Sequence, residues 1–78
     1  MMKNEKLKQL EMALGNHKPV IVDLGDEQRF LLKWDESMQN YVGISLQTGL
    51  EIGVWTLEML LQIAYGKIDN CSLEVIYE

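Results

Sequence analysis

Two side chains in this 78-residue chain are suited to covalent or acid–base chemistry, the single cysteine Cys71 and the single histidine His17. A catalytic thiol needs an adjacent base or a positive field to lose its proton. Cys71 instead follows Asp69 and Asn70, and a carboxylate beside a thiol raises its pKa. It reads as a semi-buried cysteine ahead of a strand, an ordinary place for a free thiol. His17 falls in the turn Gly15-Asn16-His17-Lys18-Pro19. As a general base it would need an acidic partner in space; otherwise it is a solvated turn residue. One cysteine and one histidine exclude a disulfide within the chain and a Cys/His metal cluster.

Within residues 20–54 the carboxylates occur as Asp23, Asp26-Glu27, Asp35-Glu36 and Glu51. A catalytic pair needs one acid whose pKa is raised by burial, and these lie in turns or on a mixed sheet face where water reaches them. Asp23-Leu24-Gly25-Asp26-Glu27 has too few ligands at the right spacing for a calcium loop. There is no glycine-rich phosphate loop and no nucleophile elbow. The expectation is a protein that is not an enzyme, with no cofactor and no bound metal. An enzyme built on His17 or Cys71 is the lesser reading.

Composition bounds the rest. Seventy-eight residues suffice for one compact domain, residues 1–78, near the size at which a single core is barely enough. With disulfides and metal sites removed, oligomerisation is the open route to further burial. The hydrophobic fraction of 47% and net charge of -5 are those of a folded chain. Charge is uneven: residues 1–18 carry four lysines against two acids, and the remainder three cations against ten acids. Lys3, Lys6 and Lys8 could touch a phosphate backbone, but three lysines interrupted by Glu5 make a weak positive field, so nucleic acid is not the expected partner. No apolar run follows the N-terminal lysines, and Val54–Tyr65 is too short to span a bilayer. A cytoplasmic chain with no membrane contact is expected, and the Asn70-Cys71-Ser72 glycosylation pattern then has no significance.

The elements that must position these residues read as helix, four-stranded antiparallel meander, helix and C-terminal strand, an α+β domain. Leu7, Leu10 and Leu14 define one face of a helix over about Lys3–Leu14, stopped by Gly15-Asn16 with Pro19 beyond. Four segments then alternate with period two: Val20, Val22 and Leu24; Phe30, Leu32 and Trp34; Val42, Ile44 and Leu46; Leu50, Ile52 and Val54. A connection through Gly25-Asp26-Glu27-Gln28 pairing Leu24 with Phe30 and Val20 with Trp34, and three-residue loops at Ser37-Met38-Gln39, pairing Trp34 with Val42, and at Gln47-Thr48-Gly49, pairing Val42 with Val54, place all twelve side chains on one face. Thr56 is a natural N-cap for a second helix ending near Gly66-Lys67 and lying across that face. Residues 72–78 form a last strand with Leu73, Val75 and Tyr77 together.

In this register the opposite face carries Ile21, Leu31, Tyr41 and Trp55 among charged residues and glycines, with Tyr41 and Trp55 directly opposed. Aromatic residues are enriched at binding hot spots, so these four are the candidate partner-binding residues. The leading expectation is a non-catalytic interaction, regulatory or inhibitor module that self-associates and engages another protein, of the kind found as accessory proteins in bacteria or their phages. The alternative is a small-molecule-binding module with a pocket between sheet and helix lined by Trp34 or Trp55.

Overall fold

The computed structural model describes the backbone of residues 2–76 and the side chains of residues 5–76. The elements are α1 (Met2–Gly15), β1 (Val20–Asp23), β2 (Arg29–Asp35), β3 (Asn40–Ser45), β4 (Glu51–Trp55), α2 (Leu57–Ala64) and β5 (Ser72–Val75). The strands form one antiparallel sheet in the order β4-β3-β2-β1-β5. The α+β architecture expected from the residue pattern is therefore the observed one. The last strand joins β1, and α1 packs on its own chain against α2 and β5. Tyr77, expected on the face of Leu73 and Val75, lies outside the described residues.

Local chemistry accounts for the helix ends. Leu10, Ala13 and Leu14 of α1 are buried and Leu7 is half-buried. The helix stops slightly later than Gly15-Asn16 suggests. The left-handed residue is His17, at φ 56, with its amide donating to the Leu14 carbonyl at 3.2 Å and that of Lys18 to the Ala13 carbonyl at 2.8 Å, a Schellman closure. Helix α2 begins as expected, with the Thr56 hydroxyl accepting from the Met59 amide at 3.1 Å. Its end is closed in the same way, by the amides of Gly66 and Lys67.

The strand registers depart from expectation. Between β1 and β2 the shift is two residues, Val22 facing Phe30 and Val20 facing Leu32, which leaves the faces unchanged. Between β2 and β3 it is a single residue. The connection is the four-residue loop 36–39, because Asp35 pairs with Asn40. Asp35 Oδ1 accepts from the amides of Ser37 and Met38 at 3.0 and 3.1 Å and from the Ser37 hydroxyl at 2.7 Å. The Gln39 amide returns to the Asp35 carbonyl at 2.9 Å. One extra loop residue turns the whole of β3 over. Tyr41, Gly43 and Ser45 face the helices, and Val42 and Ile44 face away.

The loop after β3 repeats this construction. Ser45 Oγ accepts from the amides of Gln47 and Thr48, both at 3.3 Å, and the Gly49 amide donates to the Ser45 carbonyl at 2.8 Å. A bulge in β4, with the left-handed Gly53 at φ 75, then restores the expected pairing of Val42 with Val54 and Tyr41 with Trp55. The proposed common face of twelve side chains is thus corrected: β1 and β2 keep their share, while Val42, Ile44 and Val54 lie on the opposite side.

The helix-covered face is aliphatic at one end and aromatic at the other. Leu10, Leu14, Val20, Val22, Leu32, Leu60, Ile63 and Leu73 are buried together with Tyr41. Trp34 meets Tyr41 edge-on at 5.3 Å between ring centroids, and Phe30 meets Trp55 at 6.2 Å. Gly43 makes room for this layer. A β-carbon there would stand 2.7 Å from Trp55 Nε1 and 2.8 Å from the Ile52 carbonyl oxygen. Gly43→Ala is therefore expected to lower unfolding free energy by about 1–3 kcal/mol in urea titrations, since overpacking displaces backbone. Gly15→Ala, where the added carbon has nothing within 4 Å, should raise it by about 0.5–1 kcal/mol as an Ala-for-Gly exchange in a helix.

Candidate functional site

The turned-over β3 divides the four residues expected to form a binding patch. Tyr41 and Trp55 are cross-strand neighbours, as anticipated, but on the face beneath the helices. Leu31 and Ile21 pair with each other on the opposite face. The four do not form one surface, and the cause is the four-residue loop 36–39. Tyr41 is fully buried and its hydroxyl donates to the Lys18 carbonyl at 2.8 Å. It therefore ties the segment after α1 to the middle of the sheet and is out of reach of a partner.

Trp55 is the aromatic member left at the periphery. It ends β4, an edge strand, and its indole lies over Gly43. Burial there leaves Trp55 Nε1 without a hydrogen-bond partner, a cost of about 1–3 kcal/mol for a buried donor. Beside it a shallow concavity of about 170 Å³ is lined by Phe30, Ile52, Gly53, Val54, Trp55 and Met59. The surroundings are apolar and open. Leu46, Leu50, Ile52, Val54 and Met59 are between 42% and 64% exposed, and all lie on or beside the β3–β4 hairpin and the first turn of α2. Residue patterning alone places Ile52 in the core and misses this site. The available signal was Gly53 inside a strand pattern, which marks a bulge.

A second concavity of about 640 Å³ runs between α1 and β5, bounded by Met12, Ala13, Lys18, Pro19, Val75 and Ile76 among others. Trp34 lines neither. Its ring is stacked on His17, with centroids 3.7 Å apart and planes 7° from parallel, and its Nε1 donates to Glu36 at 2.8 Å.

The groups considered for chemistry are dispersed. His17 lies against the Trp34 indole, and Cys71 is half-buried beside the core. Asp23 accepts from the Gly25 amide at 2.8 Å and stands 3.9 Å from Arg29, which also reaches Glu74 at 3.4 Å. The Ser37 hydroxyl and the Met38 amide hold the Asp35 carboxyl below its usual range. Tyr65 donates to Glu11 at 2.8 Å, and this bond raises its pKa. Among the described residues no group of three or more His, Cys, Asp or Glu side chains could hold a metal ion. Nor is any described helix long and apolar enough to cross a membrane. Comparisons with protein families, with curated proteins and with solved structures find no match for this chain.

Burial pushes the Tyr41 hydroxyl up to about 12. A phenol with a raised folded pKa contributes stability that is complete below its unfolded value near 10 and is lost as pH rises toward 12. Urea midpoints should therefore fall between pH 10 and 12, and Tyr41→Phe should flatten that fall while lowering the neutral-pH stability by about 1 kcal/mol through the lost hydrogen bond. Tyr65→Phe serves as the control for the second perturbed phenol.

Proposed function

We propose that this protein is a non-catalytic protein-interaction module, self-associating through the β4 end of the domain, with an accessory, regulatory or inhibitory role in the cytoplasm. The observation that carries the reading is the open Trp55 cleft, whose lining includes Ile52, Val54 and Met59, each left 42% to 47% exposed. Isolated exposed hydrophobics are ordinary on a protein surface; a contiguous group beside an edge strand marks an interaction site. The cleft suits an aliphatic or aromatic side chain entering between Ile52 and Met59, with Trp55 as the rigid wall. The bulge at Gly53 bends the β4 backbone and disfavours simple addition of another strand to this edge, so contact through side chains is the favoured mode.

A small-molecule module is the second reading, supported by the groove between α1 and β5. Reproducible thermal stabilisation by one metabolite class would favour it.

Light scattering at increasing protein concentration is the direct test of the first reading. The wild-type chain should show a concentration-dependent dimer. Ile52→Glu and Met59→Glu, both at exposed positions, should weaken dimerisation by tenfold or more while the circular dichroism spectrum is unchanged. Each places a charge in an apolar contact, which costs more than 1.4 kcal/mol, the free-energy equivalent of that factor. A wild-type chain that stays monomeric at millimolar concentration would overturn the self-association reading.

A further inference from the structure

The sheet face turned away from the helices carries a lateral row that crosses all five strands. Glu74 of β5 faces Ile21 of β1, Ile21 faces Leu31 of β2, Leu31 faces Ile44 of β3, and Ile44 faces Glu51 of β4. Three aliphatic side chains stand abreast with a carboxylate at each end. Beside them Val42 and Val54 are paired, next to Lys33. None of these five aliphatic residues belongs to the buried core or packs against it. An antiparallel sheet with one face in water ordinarily places polar residues on that face. This one carries a second aliphatic set.

The dimensions and charge of the face select its occupant. Strands lie about 4.8 Å apart, so Ile21, Leu31 and Ile44 span about 10 Å, the diameter of one α-helix with its side chains. The carboxylates of Glu74 and Glu51 stand one strand further out on either side, within reach of long cationic side chains. The outward positions of the sheet hold four carboxylates, Asp23, Asp35, Glu51 and Glu74, against Arg29 and Lys33. Arg29 already lies between Asp23 and Glu74. A second copy of this chain fits poorly. A two-fold axis that lays the row on itself sets Glu74 on Glu74 and Glu51 on Glu51, or Glu74 on Glu51, and carboxylate meets carboxylate in both arrangements. Phosphate-bearing partners are repelled for the same reason.

We infer that this face docks an amphipathic helix of another protein, its apolar stripe on Ile21, Leu31 and Ile44 and its flanking lysines or arginines over Glu74 and Glu51. Helix on sheet is the layer arrangement the domain already uses on its other side. The row Ile21, Leu31 and Ile44 shares no residue with the Trp55 cleft, which it approaches only through Val54, so the two readings fail independently.

The probe is a synthetic helical peptide with leucines at i, i+3, i+4 and i+7 and lysines on both flanks, titrated into the full chain and followed by amide chemical shifts and calorimetry. Shifts should concentrate on Ile21, Leu31 and Ile44, and affinity should fall with salt. The same peptide with glutamate replacing lysine should not bind. The double variant Glu51→Lys/Glu74→Lys, changed only at exposed positions, should weaken binding by about tenfold or more, as expected when two rim attractions become repulsions. Three results would overturn the inference: no binding of the lysine peptide at millimolar concentration, equal binding by the double variant, or shifts confined to Ile52 and Met59. Loss of self-association in Ile44→Asp would also overturn it, because the face would then belong to a second copy.

Discussion

The Asp35 carboxylate holds the turn on which the arrangement of the sheet depends. By accepting from two backbone amides and one hydroxyl within residues 37–38, it closes a four-residue loop, and that loop decides which way β3 faces. A side chain acting as a local backbone acceptor is a small interaction taken alone. Its leverage comes from strand geometry, in which one residue of register exchanges every side chain between faces. With β3 turned, Tyr41 enters the core, Gly43 admits the Trp55 indole, and Val42 and Ile44 are left on the far side. Both surfaces, the cleft and the aliphatic row, follow from this turn.

Element order, both helices, the N-cap at Thr56 and the opposition of Tyr41 to Trp55 were legible from residue types and spacing. Periodicity of apolar residues carries those features strongly. Register was not, because period-two alternation in β3 is satisfied on either face: Val42 and Ile44 alternate with Tyr41 and Gly43, and both sets can be buried. What separates the two is tertiary. The Lys18 carbonyl waits for the Tyr41 hydroxyl, and only glycine at position 43 tolerates the approach of Trp55. The equivalent loops at 36–39 and 46–49 could have been inferred from Asp35 and Ser45, residues that favour such turns. The bulge at Gly53, which cancels the second slip, hides the consequence in β4. The candidate site was legible only in Trp55; Tyr41 was the right neighbour on the wrong face, and Leu31 and Ile21 belong to the opposite surface.

The two surfaces differ in a way that assigns them different work. The Trp55 cleft is lined by apolar side chains and glycine alone, the composition of the core of a contact between like subunits. Across the far face an aliphatic centre is framed by acids, which discriminates by the sign of the incoming rim. A small domain whose one core lies between sheet and helices has few other ways to present two distinct contacts. Here they come from the two sides of one sheet.

The seating of β5 against β1 has a consequence for how the chain comes into being. Val20 pairs with Val75, so the first strand waits for a partner 55 positions downstream. Until β5 docks, one edge of β1 is unmatched and the core position that Leu73 fills stays open. The partly folded domain is therefore an open sheet with a sticky border, and closing it needs a contact between distant parts of the chain, which is slow to form.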